Sequence, residues 1–369
     1  MISESLAFPT FVIPDSVQTP ATCVVESTMQ SNIENMVAAL SKRGVHCRPH
    51  TKSHKSLEIG RRQIAAGCVG LTTATIGEAE IFVGGGIDDI LVAYPLWLTA
   101  DKARRVWALL ERATITVGVS SLAGAENLVH FMSGSQLRVA VEVSCGEVRT
   151  GVATAQEAVA VANVIRHGGL NVVGVFAHGG HSYAGGTMIE SAANDESSAL
   201  LESSEALRDA GFEISMASAG STPTALLSAV PGVSEERPGT YVFGDRQQST
   251  IGAHRAEDVA LFVAGTVVQV SDPYFVVDVG AKMLTKDLPK TVEGYGALPA
   301  YPKAIIERLY DHHGVIHSRG GAVPREGERL AVIPNHVCPI TNLSREFVVL
   351  NDDGSETNRW PVDAGLRNV

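Results

Sequence analysis

Residues 137–176, LRVAVEVSCGEVRTGVATAQEAVAVANVIRHGGLNVVGVF, decide the fold. LRVAVEV and NVVGVF are short runs rich in β-branched residues. The stretch between them, ATAQEAVAVANVIRH, carries apolar residues at helical period and stops at Gly168 and Gly169. A strand, a helix and a second strand in this order form a unit of parallel sheet. The alternation continues in both directions from residue 45 to about residue 245, with strand candidates VHCRPHT, VGLTTA, DILVAYP, TITVGV, LRVAVEV, NVVGVFA, EISMASA and GTYVFGD. Eight repeats in about 200 residues predict a (β/α)8 barrel at the compact end of its range. A ninth candidate, ATCVVES, precedes the helical stretch SNIENMVAALSKRG and is expected outside the barrel.

After about residue 250 the texture changes to Val-rich runs such as VALFVAGTVVQVSD, YFVVDVG, ERLAVIP and REFVVLND, separated by Gly, Asp and Pro turns. This predicts a separate antiparallel β domain, with which the N-terminal segment can pair. The Gly and Pro content of Ala281 to Ala304 marks a long functional loop.

Composition narrows the function. Against 29 Lys and Arg stand 40 Asp and Glu, a net charge of -11, which excludes the basic footprint needed for nucleic acid or an anionic membrane. Apolar residues at 45% with 19% charged exclude a disordered chain. No apolar run reaches the roughly 18 residues that would span a bilayer. MISESLAFPTFVIPDSVQTPA lacks a basic start and apolar stretch, so the expected compartment is the cytoplasm. The five cysteines are scattered without a CxxC pair, which argues against a disulfide framework and for buried thiols, Cys338 apart.

Barrel active sites form at the C-terminal ends of the strands, so polar residues closing an apolar strand are the candidates. The first strand ends in RPHTKSHK, where strand alternation puts His50 and Lys52 on one face. A lysine recessed in a barrel mouth can lose its proton and form a Schiff base. Arg149 follows the fifth strand in a Gly-bracketed loop, either stabilising an oxyanion or making a surface salt bridge. FAHGGHSY supplies His178, His181 and Tyr183, as metal ligands or as hydrogen-bonding positioners. In AGSTPTA, Gly220 lets backbone amides approach an anion while Ser221 and Thr222 add hydroxyls, so the loop reads as a phosphate cradle or as a bare N-cap. ERPGTYVFGD brings Tyr241 and Asp245 toward the same mouth on the eighth strand. An imine-forming lysine, a phosphate cradle and polar groups between them describe a site for pyridoxal 5'-phosphate. In VIPNHVCPITN, His336 and Cys338 would share a strand face and chelate one ion, with thiolate and imidazole favouring zinc; the alternative is a buried cysteine beside a surface histidine.

RPHTKSHKS, GEVRTGV, GSTPT, ERPGTYVF and PNHVCP together resemble the fold-type III pyridoxal phosphate enzymes of the D-serine dehydratase and D-threonine aldolase group, over roughly residues 18–365. The resemblance implies an alanine-racemase-like barrel over residues 25–250, a β domain from residues 1–24 and 251–369, and a head-to-tail homodimer. It matches Lys52 to the Schiff-base lysine, Lys55 to a noncovalent position, and Arg149 to the arginine facing the cofactor's ring oxygen. His178, Tyr183 and Tyr241 fall where the cofactor is lined, and Gly220, Ser221 and Thr222 on its phosphate loop. His336 and Cys338 match a metal pair that holds zinc in the dehydratase branch, whereas aldolases carry His-x-Asp with manganese or magnesium. The expected activity is a lyase reaction on β-hydroxy D-amino acids, α,β-elimination ahead of retro-aldol cleavage. An amino-acid racemase and a noncatalytic pyridoxal phosphate carrier are the remaining alternatives.

Overall fold

The computed structural model describes residues 6–369; residues 1–5 of the expected β domain lie outside the described residues. Strand β1 (Ala21–Val25) runs straight into helix α1 (Glu26–Ser41). A series of strands and helices follows: β2 (His46–Cys47), α2 (Leu57–Ala65), β3 (Leu71–Thr73), α3 (Ile76–Gly84), β4 (Asp89–Pro95), α4 (Ala100–Leu110), β5 (Thr114–Val119), α5 (Leu122–Met132) and β6 (Arg138–Glu142). It continues with α6 (Ala155–His167), β7 (Asn171–Phe176), α7 (Thr187–Asp209), β8 (Met216–Ala219), β9 (Glu235–Glu236) and α8 (Arg246–Thr250). Strands β2 to β9 make one all-parallel sheet in the order β2-β9-β8-β7-β6-β5-β4-β3. A parallel bridge between His50 and Thr72, where the Thr72 N–H donates to the Pro49 carbonyl at 2.8 Å, joins its two ends into a barrel.

The local chemistry repeats with the units. Thr75, Thr99, Ser121 and Thr154 cap α3 to α6, each side chain accepting from the amide three residues on. Glu78 and Glu157 reach back to the amides of Ala74 and Ala153, both at 2.8 Å, in the manner of a capping box. Phe176 fills the barrel interior, and Gly118 makes room for it, since a Cβ there would lie 2.6 Å from the Phe176 ring.

Two strand expectations are corrected. The first strand stops at Cys47, and Thr51–Ser53 is a 3-10 turn capped by His50. The eighth strand is Glu235–Glu236, not GTYVFGD, which forms a 3-10 turn at Thr240–Val242. Pro238 and Gly239 end the strand, and the aromatic residues beyond them are drawn into another core, where Phe243 meets Phe347 at 5.4 Å between ring centres.

The remaining chain comprises β10 (Leu261–Ser271), β11 (Tyr274–Val277), α9 (Ala281–Leu284), β12 (Ile305–Leu309), β13 (Gly314–His317), β14 (Arg329–Val332), α10 (Val337–Leu343), β15 (Glu346–Leu350) and β16 (Glu356–Pro361). Its sheet has the order β12-β13-β11-β10-β1-β15-β16, with β14 also on β10, and is antiparallel except for the β1–β15 pair. The supernumerary strand of the sequence is therefore a central one here, with Cys23 opposite Phe262 on one side and Val348 on the other.

Candidate active site

The barrel mouth holds a cavity of about 300 Å³ lined by His50, Lys52, Glu142, Arg149, Phe176, His178, Tyr183, Arg237 and the two loops Gly220–Thr222 and Gly239–Thr240. Lys52 projects from the 3-10 turn. His50 and Lys52 share the cavity because of that turn rather than by strand alternation, and the His50 Nδ1 accepts from the Lys52 amide at 3.3 Å. Burial, then the positive charges of Lys52 and Arg237, hold the His50 imidazole well below its ordinary pKa.

Burial first and Lys52 next push His178 down to about 3, so it is neutral; its Nδ1–H donates to the Gly220 carbonyl at 2.8 Å, leaving Nε2 as an acceptor. Tyr183 lies near it, with ring centres 6.3 Å apart, and burial pushes its phenol up. His181 turns away from the cavity to pair with Asp195 at 3.1 Å. Arg149 lines the cavity from an exposed loop.

The Gly220–Thr222 loop is built differently from the sequence reading. Gly220 has φ +148°, and a Cβ there would sit 2.4 Å from the Arg237 amide nitrogen, so only glycine fits. Its own N–H is not turned to the cavity but donates to Glu196 on α7 at 2.9 Å, and the Ser221 N–H donates to the Thr224 hydroxyl at 3.3 Å. The amides of Thr222, Gly239 and Thr240 have no partner among the described residues, which leaves them free to donate to an anion.

Tyr241 is not at this site. Its ring is 2% exposed in the core beneath α1 and its hydroxyl accepts from Gln63 at 3.0 Å; only its backbone N–H reaches the loop, donating to the Thr222 hydroxyl at 3.1 Å. Asp245 caps α8 and accepts from the Val337 amide at 3.1 Å, fastening α10 to the barrel rather than facing the cavity.

Two cavity residues escaped the sequence reading. Arg237 is buried, donates to the Ser218 hydroxyl and the Ala177 carbonyl, and lies 5.4 Å from the Phe176 ring centre. Burial lowers its pKa and the surrounding Glu196, Glu235, Glu236 and Glu142 oppose this, so it is a fixed cation in the cavity floor. Glu142 closes β6; burial raises its pKa, one oxygen accepts from Thr150 at 2.8 Å, and the other is buried without a partner. Glu142 ends an apolar strand, the signal that would have found it, whereas Arg237 follows Glu235–Glu236, which carry no such signal.

His336 and Cys338 do not sit on a strand. His336 is the extended N-cap of α10 and Cys338 lies in its first turn, where Pro339 is tolerated because first-turn amides need no helical partner. The His336 Nδ1 is 2.8 Å from Asp287 in the long loop, and the Cys338 Sγ is 3.3 Å from the Ser53 hydroxyl beside Lys52. Against the cost of burial, Cys338 and Asp287 raise the His336 imidazole; likewise against burial, His336 and Lys52 lower the Cys338 thiol. Among the described residues no group of three or more His, Cys, Asp and Glu is arranged for a metal. Cys338 and Lys52 border a second cavity of about 470 Å³ that shares Lys52, Ala74 and Tyr94 with the first. Lys55 is held apart, 3.0 Å from Glu78 and 2.7 Å from the Asn342 carbonyl oxygen.

No helix among the described residues is long and apolar enough to cross a membrane. The sequence matches the alanine racemase N-terminal domain over residues 24–247 and a serine dehydratase domain over residues 260–350. It is 32% identical to the D-threo-3-hydroxyaspartate dehydratase of Delftia sp. (strain HT23), covering 92% of this chain and 96% of that one. It is 31% identical to a D-threonine aldolase of Arthrobacter sp., covering 94% and 93%. The solved structure of the Delftia dehydratase superposes with a TM-score of 0.87 at 31% identity over 94% and 97% of the two chains. A cysteine-to-alanine variant of that dehydratase, in its metal-free form, superposes equally well, with a TM-score of 0.87. The chain is thus a lyase of the family that joins an alanine racemase N-terminal domain to a serine dehydratase domain, the family of the D-3-hydroxyaspartate and D-serine dehydratases and the D-threonine aldolases.

Proposed function

We propose that the protein is a pyridoxal phosphate- and metal-dependent dehydratase of β-hydroxy D-amino acids, releasing a keto acid and ammonia. The observation that carries this reading is that one amine, Lys52, borders both the chamber with the anion-binding loops and the cavity containing Cys338. The residues present fit the cofactor: a lysine in the chamber, unpaired amides at Thr222, Gly239 and Thr240, and a glycine cradle that a Cβ would fill. They also fit a soft divalent ion, zinc ahead of manganese or magnesium, through an imidazole and a thiol. His336 and Cys338 would hold it.

Pyridoxal phosphate at this site would supply an electron sink for the substrate's Cα bonds, and a metal held by His336 and Cys338 would polarise the β-hydroxyl oxygen. The chain's own residues do the rest. Lys52 Nζ takes the Cα proton. The neutral His178 offers Nε2 as an acceptor, and Arg237 gives a fixed positive charge in a low-dielectric floor. Arg149, which lines the chamber, would face the cofactor's ring oxygen, as the resemblance implies. Tyr183 packs over the chamber and limits water. Elimination forms an enamine by loss of the Cα proton and the β-hydroxyl, and water then releases the keto acid and ammonia. The second reading, retro-aldol cleavage to glycine and an aldehyde, is favoured by the similarity to a D-threonine aldolase and needs a base at the β-hydroxyl proton instead. We place the enzyme in the cytoplasm and, on the family resemblance, as a head-to-tail homodimer.

The deciding experiment is product analysis with D-serine, D-threonine and D-threo-3-hydroxyaspartate, with and without chelator. Keto acid and ammonia, lost on chelation, support dehydration; glycine and aldehyde overturn it. The purified protein should be yellow and bleach with borohydride, and Lys52→Ala should retain no cofactor covalently after borohydride treatment and denaturation.

A further inference from the structure

The cavity beside Cys338 has a definite place in the reaction. A substrate whose Cα proton reaches Lys52 and whose β-hydroxyl reaches the Cys338 side leaves one further group on Cβ, within two bonds of both contacts. The space bordering both side chains is the second cavity, about 470 Å³. Its walls decide what that group can be. Ala74, Ile76, Tyr94, Leu96 and Pro339 present carbon, with Ile76 and Leu96 only 1% and 6% exposed.

The charges nearby do not favour an anion. Lys55 is neutralised by Glu78 at 3.0 Å and donates to Asn342 at 2.7 Å before any substrate arrives. Lys102 makes an exposed contact with the Trp97 carbonyl at 3.4 Å, on the solvent side. A carboxylate on Cβ would be desolvated against apolar walls, near the Glu78 carboxylate; of the lysines lining the cavity, Lys55 is paired, Lys102 contacts the Trp97 carbonyl at an exposed position, and Lys52 is the amine assigned to the Cα proton. An uncharged hydrocarbon group would instead displace water from carbon.

We propose that this cavity is the subsite for the substrate's Cβ substituent and that it selects apolar groups up to the size of an aryl ring over a carboxylate. The inference rests on the lyase reading above and narrows its substrate class.

The test measures kcat/KM of the metal-loaded holoenzyme for D-serine, D-threonine, D-threo-3-phenylserine and D-threo-3-hydroxyaspartate. Phenylserine should exceed 3-hydroxyaspartate by at least about tenfold, the discrimination ordinarily obtained from an apolar pocket. Equal or reversed preference overturns the subsite. D-Serine carries only hydrogen at this position, so its turnover reports the lyase reading separately: D-serine turnover with a preference for 3-hydroxyaspartate rejects the subsite alone, and no turnover of any of the four rejects both. Leu96→Trp, which fills the cavity, should lower the phenylserine to D-serine ratio at least about tenfold; an unchanged ratio in a folded variant overturns the proposal. If that variant does not fold, calorimetry of the unsubstituted holoenzyme decides, since D-phenylalanine and D-aspartate lack the hydroxyl both reactions require. D-Phenylalanine should bind at least about tenfold more tightly, and tighter binding of D-aspartate refutes the assignment.

Discussion

Replacing Glu196 with alanine tests how the anion loop is held. The Glu196 carboxylate is fully buried on α7 and accepts from the amides of Gly179 at 3.0 Å and Gly220 at 2.9 Å and from the Thr224 hydroxyl at 2.8 Å. It thereby ties the His178 segment to the Gly220 loop. Glu196→Ala removes the acceptor of two buried amides, each orphan costing about 1–3 kcal/mol, so the loss is about 2–6 kcal/mol. Thr224 adds little to this, because Ser221 Oγ lies 2.9 Å from its hydroxyl and can take over the bond. Glu196→Gln keeps one oxygen for the amides and should lose about 1 kcal/mol or less. Urea unfolding followed by tryptophan fluorescence measures the stability, and titration of the apoprotein with pyridoxal phosphate measures the loop. Stability and cofactor affinity should fall in the order wild type, Gln, Ala. An alanine variant within about 0.5 kcal/mol of wild type refutes the orphan-amide argument. A destabilised alanine variant with unchanged cofactor affinity refutes the link to the site.

Asp287→Ala removes the carboxylate against the His336 Nδ1 and should weaken metal binding about 10–100-fold with the yellow colour retained, read by metal analysis after dialysis against graded chelator. His54 is fully buried, and burial holds its pKa at about 3 against 6.5, so its contribution to stability is complete above pH 6.5 and drains away as the pH falls toward 3. At pH 5 the loss from this residue is about 2 kcal/mol, seen as a narrowing stability gap between wild type and His54→Asn in urea at pH 7 and pH 5. Lys55→Met strands Glu78 in a site where the two side chains are 6% and 2% exposed, and should cost about 3–5 kcal/mol; a change below about 1 kcal/mol in urea would show that Glu78 protonates or rotates freely.

What could be read from the residues was whatever local pattern determines. The βαβ period located seven of the eight barrel strands, and the Val-rich texture located the second sheet. The eighth strand was misplaced because its two residues are Glu235 and Glu236, which carry no apolar signature. They are buried only because Arg48 meets Glu235 at 2.8 Å and Ser228 donates to Glu236 at 2.8 Å, pairings made across more than one element. GTYVFGD looked like a strand for the opposite reason, since its aromatic residues serve a core formed with α1 and β15. Lys52, Arg149, His178 and the Gly220 loop share one cavity, as expected of residues at strand ends. Glu196 and Asp287 were invisible, because the first lies on a helix and the second in a loop, and only the tertiary fold brings each to its partner.

The position of β1 bears on how this chain matures. It leaves the ribosome before the barrel, yet both of its neighbours, β10 and β15, are translated only after the whole barrel. The barrel can therefore close while an apolar ribbon with two unpaired edges waits beside it, the kind of segment to which aggregation and chaperone capture are directed. Removing residues 1–25 would not trim a tail but split the later sheet down its middle, so that this half, unlike the barrel, cannot be excised as one continuous piece.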